Sequence, residues 1–200
     1  MKDIAFCFDL DGTLTKDEIL PIISREVDLH EEIMALTEAT INGILPFERS
    51  FKLRVKLLSE TNADIISDKL INVRLYEKII DFIKANKDNC FIITGNLDVW
   101  TNKLISKIGC KSFTSTALMQ GPILKGIKTI LNKGEAVDDL RKQYKKIVVV
   151  GDGMNDVPMF EKSDIRIANA STHLPAESVM ALADYVVFSE EGLCHLLNTL

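Results

Sequence analysis

The sequence predicts an α/β protein, a Rossmann-like parallel sheet core with a small helical cap inserted after the first strand. Three observations predict it. Continuous apolar runs recur at Ile4–Phe8, Cys90–Thr94 and Lys146–Val150, too short and unbroken for amphipathic helices. Helical periodicity fills most of the chain between them, and strand alternating with helix is the pattern of a parallel sheet covered on both faces. Residues 16–73 break the rhythm, because they run long with almost no strand signal.

Taken in order, Ile4–Phe8 reads as the buried first strand. The stretch that follows carries helical patterns at 17–27, 30–42, 47–58 and 63–72. An insertion at that point stands over the C-terminal end of the first strand, where a lid belongs. The core resumes with a helix over 75–86, the Cys90–Thr94 strand and a helix over 97–107. Residues 111–130 read as irregular, with a turn at Gln120-Gly121-Pro122. A helix over 133–144 leads into the Lys146–Val150 strand. Helices over 156–162, 174–182 and 190–199 and weaker strands at Ile165–Ala168 and Tyr185–Phe188 complete the chain. The expected division is therefore 1–15 with 74–200 for the core and 16–73 for the cap. Trp100, Met159 and Phe160 are assigned to the core.

Two hundred residues, 46% hydrophobic and 26% charged, suffice for a full core and a small second module. The net charge of −5 and the dispersed basic residues argue against nucleic acid or an anionic membrane surface as the main partner. No apolar run approaches the roughly 20 residues that span a bilayer. The N-terminal apolar stretch is interrupted by Asp9 and Asp11 and does not read as a signal peptide. Cys7, Cys90, Cys110 and Cys194 form no C-x-x-C pair, which leaves zinc unexpected. A reduced, cytoplasmic protein is expected, and the sequence assigns no oligomeric state.

Two of the apolar runs end in acids. The first continues as Asp9-Leu10-Asp11-Gly12-Thr13, the other as Gly151-Asp152-Gly153-Met154-Asn155-Asp156. Open α/β proteins bind ligands at the edge where those strands end. Three or four carboxylates brought together there repel unless a cation holds them, and an all-oxygen cluster suits Mg2+. The residues thus point to a metal-assisted enzyme acting on a small phosphorylated metabolite.

These two motifs, in this order, resemble the haloacid dehalogenase superfamily of phosphohydrolases, over essentially the whole chain. Gly43-Ile44-Leu45-Pro46-Phe47-Glu48-Arg49-Ser50-Phe51-Lys52-Leu53-Arg54-Val55-Lys56-Leu57-Leu58 is similar to the cap of its phosphoserine phosphatase branch. The resemblance implies the haloacid dehalogenase fold, an Mg2+ cofactor and an aspartyl-phosphate intermediate. Asp9 would be the nucleophile and a metal ligand. Asp11 would act as general acid and then general base, with its backbone carbonyl on the metal. Asp152 would ligate the metal, and Asp156 would orient a metal-bound water or a nearby donor, beside a plain role in a helix first turn. Asn155 matches a contact to substrate phosphate or water, and Thr94-Gly95 a phosphate cradle at a helix N-terminus. Lys133 matches the lysine that clamps the aspartyl-phosphate, with Lys125 and Lys128 as nearby competitors. The second carboxylate, Asp11, separates this pattern from the dehalogenases, which need neither it nor Mg2+.

Phe47, Phe51, Arg54 and Leu58 share one helical stripe, where Arg54 is the misfit. It either snorkels, pairs with an acid in 17–38, or clamps a substrate carboxylate with its planar fork. The resemblance favours the clamp. It also implies that Glu18 holds a substrate ammonium and that Phe47 and Ile41 close over the substrate, while Arg49, Lys52 and Lys56 form a solvated face. Asn96 departs from the branch, which usually carries a second glycine there; a side chain at that place narrows the pocket or adds a contact. The expected activity is Mg2+-dependent phosphomonoester hydrolysis, with phosphoserine the first substrate. Phosphohomoserine, a sugar phosphate, or phosphoryl transfer to an acceptor alcohol such as homoserine are its rivals. An idle binding or regulatory module is the alternative of another class.

Overall fold

The computed structural model describes residues 2–25, 28–41 and 43–200. Strand β1 (Lys2–Phe8) is followed by four helices, α1 (Ile19–Ser24), α2 (His30–Ile41), α3 (Phe47–Leu57) and α4 (Ala63–Leu70). The chain then alternates: α5 (Glu77–Ala85), β2 (Cys90–Leu97), α6 (Asp98–Ile108), β3 (Lys111–Gln120), β4 (Ile123–Thr129), α7 (Lys133–Arg141) and β5 (Tyr144–Gly151). It ends with α8 (Val157–Lys162), β6 (Ile165–Asn169), α9 (Glu177–Met180), β7 (Tyr185–Val187) and α10 (Glu190–Leu197).

The seven strands form one sheet in the order β4-β3-β2-β1-β5-β6-β7, parallel except for the β3–β4 pair. The stretches Ala5–Phe8, Cys90–Ile93 and Ile147–Val150 of its central strands are apolar and buried because both faces are covered there. Side chains alternate across a strand, so Phe6 and Phe8, Cys90 and Ile92, and Val148 and Val150 enter one core layer. Ala5 and Cys7, Phe91 and Ile93, and Ile147 and Val149 enter the layer on the opposite face. Trp100 joins the first layer, Met159 and Phe160 the second, and all three are fully buried. The four cysteines are free.

Residues 111–130 are not irregular. They form a hairpin, β3–β4, turning at Gly121-Pro122. The sequence signal was weak because the hairpin closes the sheet edge half-exposed, so Lys111-Ser112-Phe113-Thr114-Ser115-Thr116 need not be apolar throughout. Helix α1 is also shorter than its sequence pattern, and the 26–27 part of that pattern lies outside the described residues.

The inserted helices are tied down at two places. An antiparallel bridge between Thr15 and Leu75 joins the entering and leaving chain, and Asp17 receives both Nε and Nη2 of Arg74 at 2.9 and 2.6 Å. At the far side Glu60 N and Ala63 N donate to Leu124 O and Pro122 O, and Leu124 N donates to Thr61 O. The hairpin therefore carries the α3–α4 loop.

Candidate active site

Asp9 is the first residue beyond β1, and its N–H donates to Val150 O at 2.9 Å on the neighbouring strand. β1 and β5 pair in parallel, so Asp9 and Asp152 emerge side by side at one sheet edge. Ligand oxygens of Asp9, Asp152 and Asp156 all lie within 4.8 Å of one another, and all three residues are buried. Lys133, the first residue of α7, reaches into this group. Its Nζ donates to Asp9 Oδ1 and Asp156 Oδ1, each at 2.6 Å. Helix α7 starts there because the Asn132 side chain accepts from Gly134 N.

Asp156 closes a single 3-10 turn, Met154–Asp156, and folds back so that Oδ2 accepts from Asp152 N and Gly153 N, both at 2.9 Å. Asp152 Oδ1 accepts from Thr13 Oγ1 at 2.6 Å. Gly12 makes this possible: it has φ +68°, and a Cβ there would stand 3.0 Å from Asp152 Oδ2.

The charges are unequal in number. Burial first, then the Asp156 charge, pushes Asp9 well above the usual carboxylate range, and burial likewise raises Asp152. Burial alone would lower Lys133, but the Asp156 and Asp9 charges outweigh it and hold the ammonium above its ordinary value. Lys133 faces Asp9 and Asp156, and His173 faces Asp152 and Glu18, so the carboxylates still outnumber the cations, and the oxygens of Asp9, Asp152 and Asp156 suit a hard divalent cation. Asp11 stands apart from the trio. Its Oδ1 accepts from Ile19 N at 3.0 Å and its Oδ2 from Asn96 Nδ2. Burial and then the Glu18 charge push it up to about 7.

A cavity of about 80 Å3 opens above these groups, space for roughly five to eight waters and so for a compact ligand. Asp9, Asp11, Gly95, Asp152 and Asn155 line it from the sheet side, and Glu18, Phe47 and Arg54 from the inserted helices. Lys133 instead faces an adjoining cleft with Phe47, Gly95 and Asn155.

Phe47, Phe51, Arg54 and Leu58 do form one inward face of α3, while Arg49, Lys52 and Lys56 are exposed. Arg54 is 5% exposed; Nη1 donates to Thr37 Oγ1 at 3.3 Å and Nε has no partner. Among the described residues no carboxylate lies within ion-pair reach of it. Burial lowers its pKa, against the charges of Asp11 and Glu18. The Phe47 ring descends onto Gly95, where a Cβ would meet it at 2.6 Å. The side chain of Ile41 lies outside the described residues.

Thr94-Gly95 does not open a helix. Strand β2 runs on to Leu97, which is the residue before α6, and its pairing with β3 shifts register between Thr94 and Leu97. Thr94 is buried and its hydroxyl accepts from Asn96 N at 3.2 Å. Any anion there meets a strand bulge instead of a helix terminus. Lys125 is committed elsewhere, to Glu60 at 2.6 Å.

Asn96 adds a contact, as one of the two expectations for it had it, and that contact is to Asp11; two further contacts have no forewarning in sequence, Thr13 on Asp152 and His173. The His173 Nε2 lies 3.1 Å from Asp152 and 3.7 Å from Glu18, and those two carboxylates, in that order, push it up to about 11. It comes from the loop after β6, which ends at the same sheet edge as β1 and β5. That shared edge is the signal that would have found it.

The family described as haloacid dehalogenase-like hydrolase matches residues 5–164. The chain belongs to that family. This hydrolase is a phosphatase, and the two curated relatives that follow match 80% and 96% of it. It is 29% identical over 178 residues to the phosphoserine phosphatase of Methanocaldococcus jannaschii, covering 80% of this chain and 82% of that one. With the phosphoserine phosphatase of Halobacterium salinarum the identity is 27%, covering 96% and 95%. Among solved structures, a substrate-bound phosphoserine phosphatase superposes with a TM-score of 0.86 at 25% identity, covering 100% of this chain and 99% of that one. A phospho-aspartyl intermediate analogue of phosphoserine phosphatase gives 0.84, also at 25% identity and covering all of both chains.

Proposed function

We propose that the phosphatase hydrolyses phosphoserine, or a similarly small phosphorylated amino acid, through an aspartyl-phosphate on Asp9. The observation that carries this reading is one cavity lined by Asp9 and Asp11 on one side and by Glu18 and a partly unpartnered Arg54 on the other. A phosphate, an ammonium and a carboxylate are the three charges such a lining matches.

Asp9, Asp152 and Asp156, with the Asp11 carbonyl, would hold Mg2+. Bound there, the ion neutralises charge on the phosphoryl oxygens. The Asp9 carboxylate attacks phosphorus while Asp11 gives its proton to the departing serine oxygen. Asp11 then takes a proton from the water that cleaves the acyl phosphate and regenerates Asp9. A carboxyl held near 7 can serve in both directions at neutral pH. Lys133 keeps Asp9 aligned and offsets charge, Thr94, Gly95 and Asn155 bind phosphate, and Phe47 excludes water. Residues 16–73 act as the cap over a core of 1–15 and 74–200. Free, buried Cys7 and Cys90 suit a reducing, cytoplasmic setting.

The test is phosphate release with Mg2+ from phosphoserine, phosphothreonine, phosphohomoserine, sugar phosphates and an aryl phosphate. Phosphoserine should be preferred, and Asp9→Asn should lower release by at least about 10³-fold. Equal rates on all esters would leave the chemistry and discard the amino-acid pocket; undiminished release from Asp9→Asn would discard the nucleophile.

A further inference from the structure

Asn96 lines the cavity and has no part in the chemistry above. It is 4% exposed, at the point where the β2–β3 register shifts. Its Nδ2 donates to Asp11 Oδ2 and lies 3.4 Å from Thr94 Oγ1. The amide nitrogen faces Asp11 and suits both its ionised form and its unprotonated oxygen, since the amide oxygen against either would set acceptor against acceptor. The other Asp11 oxygen is taken by Ile19 N at the start of the first cap helix. A carboxyl group rotates easily about its terminal bond, over a broad range of angles. Two donors, one from a core strand and one from the cap, remove that freedom and fix which oxygen faces the cavity.

We propose that Asn96 is a positioning residue for Asp11, holding the carboxyl where it can protonate a leaving alkoxide. This rests on the reading of Asp11 as general acid. In the step concerned the bond from Asp9 to phosphorus forms, the ester P–O bond breaks, and the Asp11 proton moves to the departing oxygen. An alkoxide needs that proton. A nitrophenolate, stable as an anion, does not. Asn96 therefore sets the class of ester the enzyme can cleave, favouring alkyl phosphates.

The experiment compares kcat/KM for phosphoserine, or another alkyl phosphate the wild type turns over, with kcat/KM for p-nitrophenyl phosphate. The ratio kcat/KM covers the reaction up to loss of the leaving group, so later hydrolysis of the acyl phosphate does not mask the effect. The variants are Asn96→Ala and the similarly sized, uncharged Asn96→Leu, which keeps the bulk and loses the donor. Alkyl turnover should fall about 10- to 100-fold in both, part of the ~10²–10⁴-fold that general acid–base catalysis supplies. Aryl turnover should change less than about threefold, which also reports an intact fold. Parallel losses on both substrates, or no loss on either, would overturn the positioning role while leaving the phosphatase reading in place. A wild type that cleaves neither ester would overturn both.

Discussion

The floor and the roof of the cavity meet their charges differently. On the floor every carboxylate has partners within the protein: Asp9 has Lys133, Asp152 has Thr13 and His173, and Asp156 has Lys133 and two backbone N–H groups. On the roof Arg54 is as deeply buried, yet among the described residues Thr37 alone accepts from it and its Nε has no partner. Buried polar groups are costly to leave unpaired, so the floor is complete without substrate and the roof is completed by one. The difference separates the two tasks. Reaction groups are held by one another, while Arg54 is kept available and Glu18 has only His173 at 3.7 Å.

The sharpest way to break this comparison is Lys133→Met. It leaves Asp9 and Asp156 facing each other without their cation, and unfolding in urea without divalent metal should show a loss of about 3–5 kcal/mol. A loss below 1 kcal/mol would mean the floor does not depend on internal pairing. Arg54→Ala is the converse. Stability should change little, because a buried charge with an unmet donor is removed. The value of kcat/KM for phosphoserine should fall about 30-fold, equivalent to ~2 kcal/mol, with an ester lacking the carboxylate affected less than threefold. Equal losses on both esters would make Arg54 structural.

The mildest effect is on pH. An unfolded aspartate ionises near 3.8, whereas Asp11 is pushed up to about 7 in the fold, so between those values the folded chain binds more protons. Its contribution to stability is full below about pH 3.8 and is lost as pH rises through 7. Asp9 and Asp152 shift in the same direction. Melting temperatures of the metal-free protein should fall by several degrees from pH 5 to pH 8, and less so in Asp11→Asn. Saturating Mg2+ should flatten the trend. A melting temperature that rises over this range without metal would contradict the upward shift that burial gives these carboxylates.

Much of this was legible in the chain. The apolar runs that became β1, β2 and β5 were readable because a strand buried on both faces must be apolar at every position. The same runs carried Asp9, Asp11 and Asp152 to one edge, so those acids were readable with them. The inward stripe of α3 followed from helical period alone, Arg54 included. The β3–β4 hairpin was not readable, because its edge position tolerates polar residues and no local pattern distinguishes it from a loop.

Sequence by itself determined the alternation of buried strands and helices outside the β3–β4 hairpin, the acids at the strand ends and the face of α3 that turns inward, since each depends only on local spacing and burial. Tertiary structure alone decided which side chains meet across the chain. His173 reaches Asp152 because parallel pairing of β6 with β5 brings its loop to the same edge. Asn96 reaches Asp11 across 85 residues because β2 pairs with β1 and then breaks register with β3. Such contacts depend on sheet pairing and a local shift in register, and no spacing within the sequence encodes either.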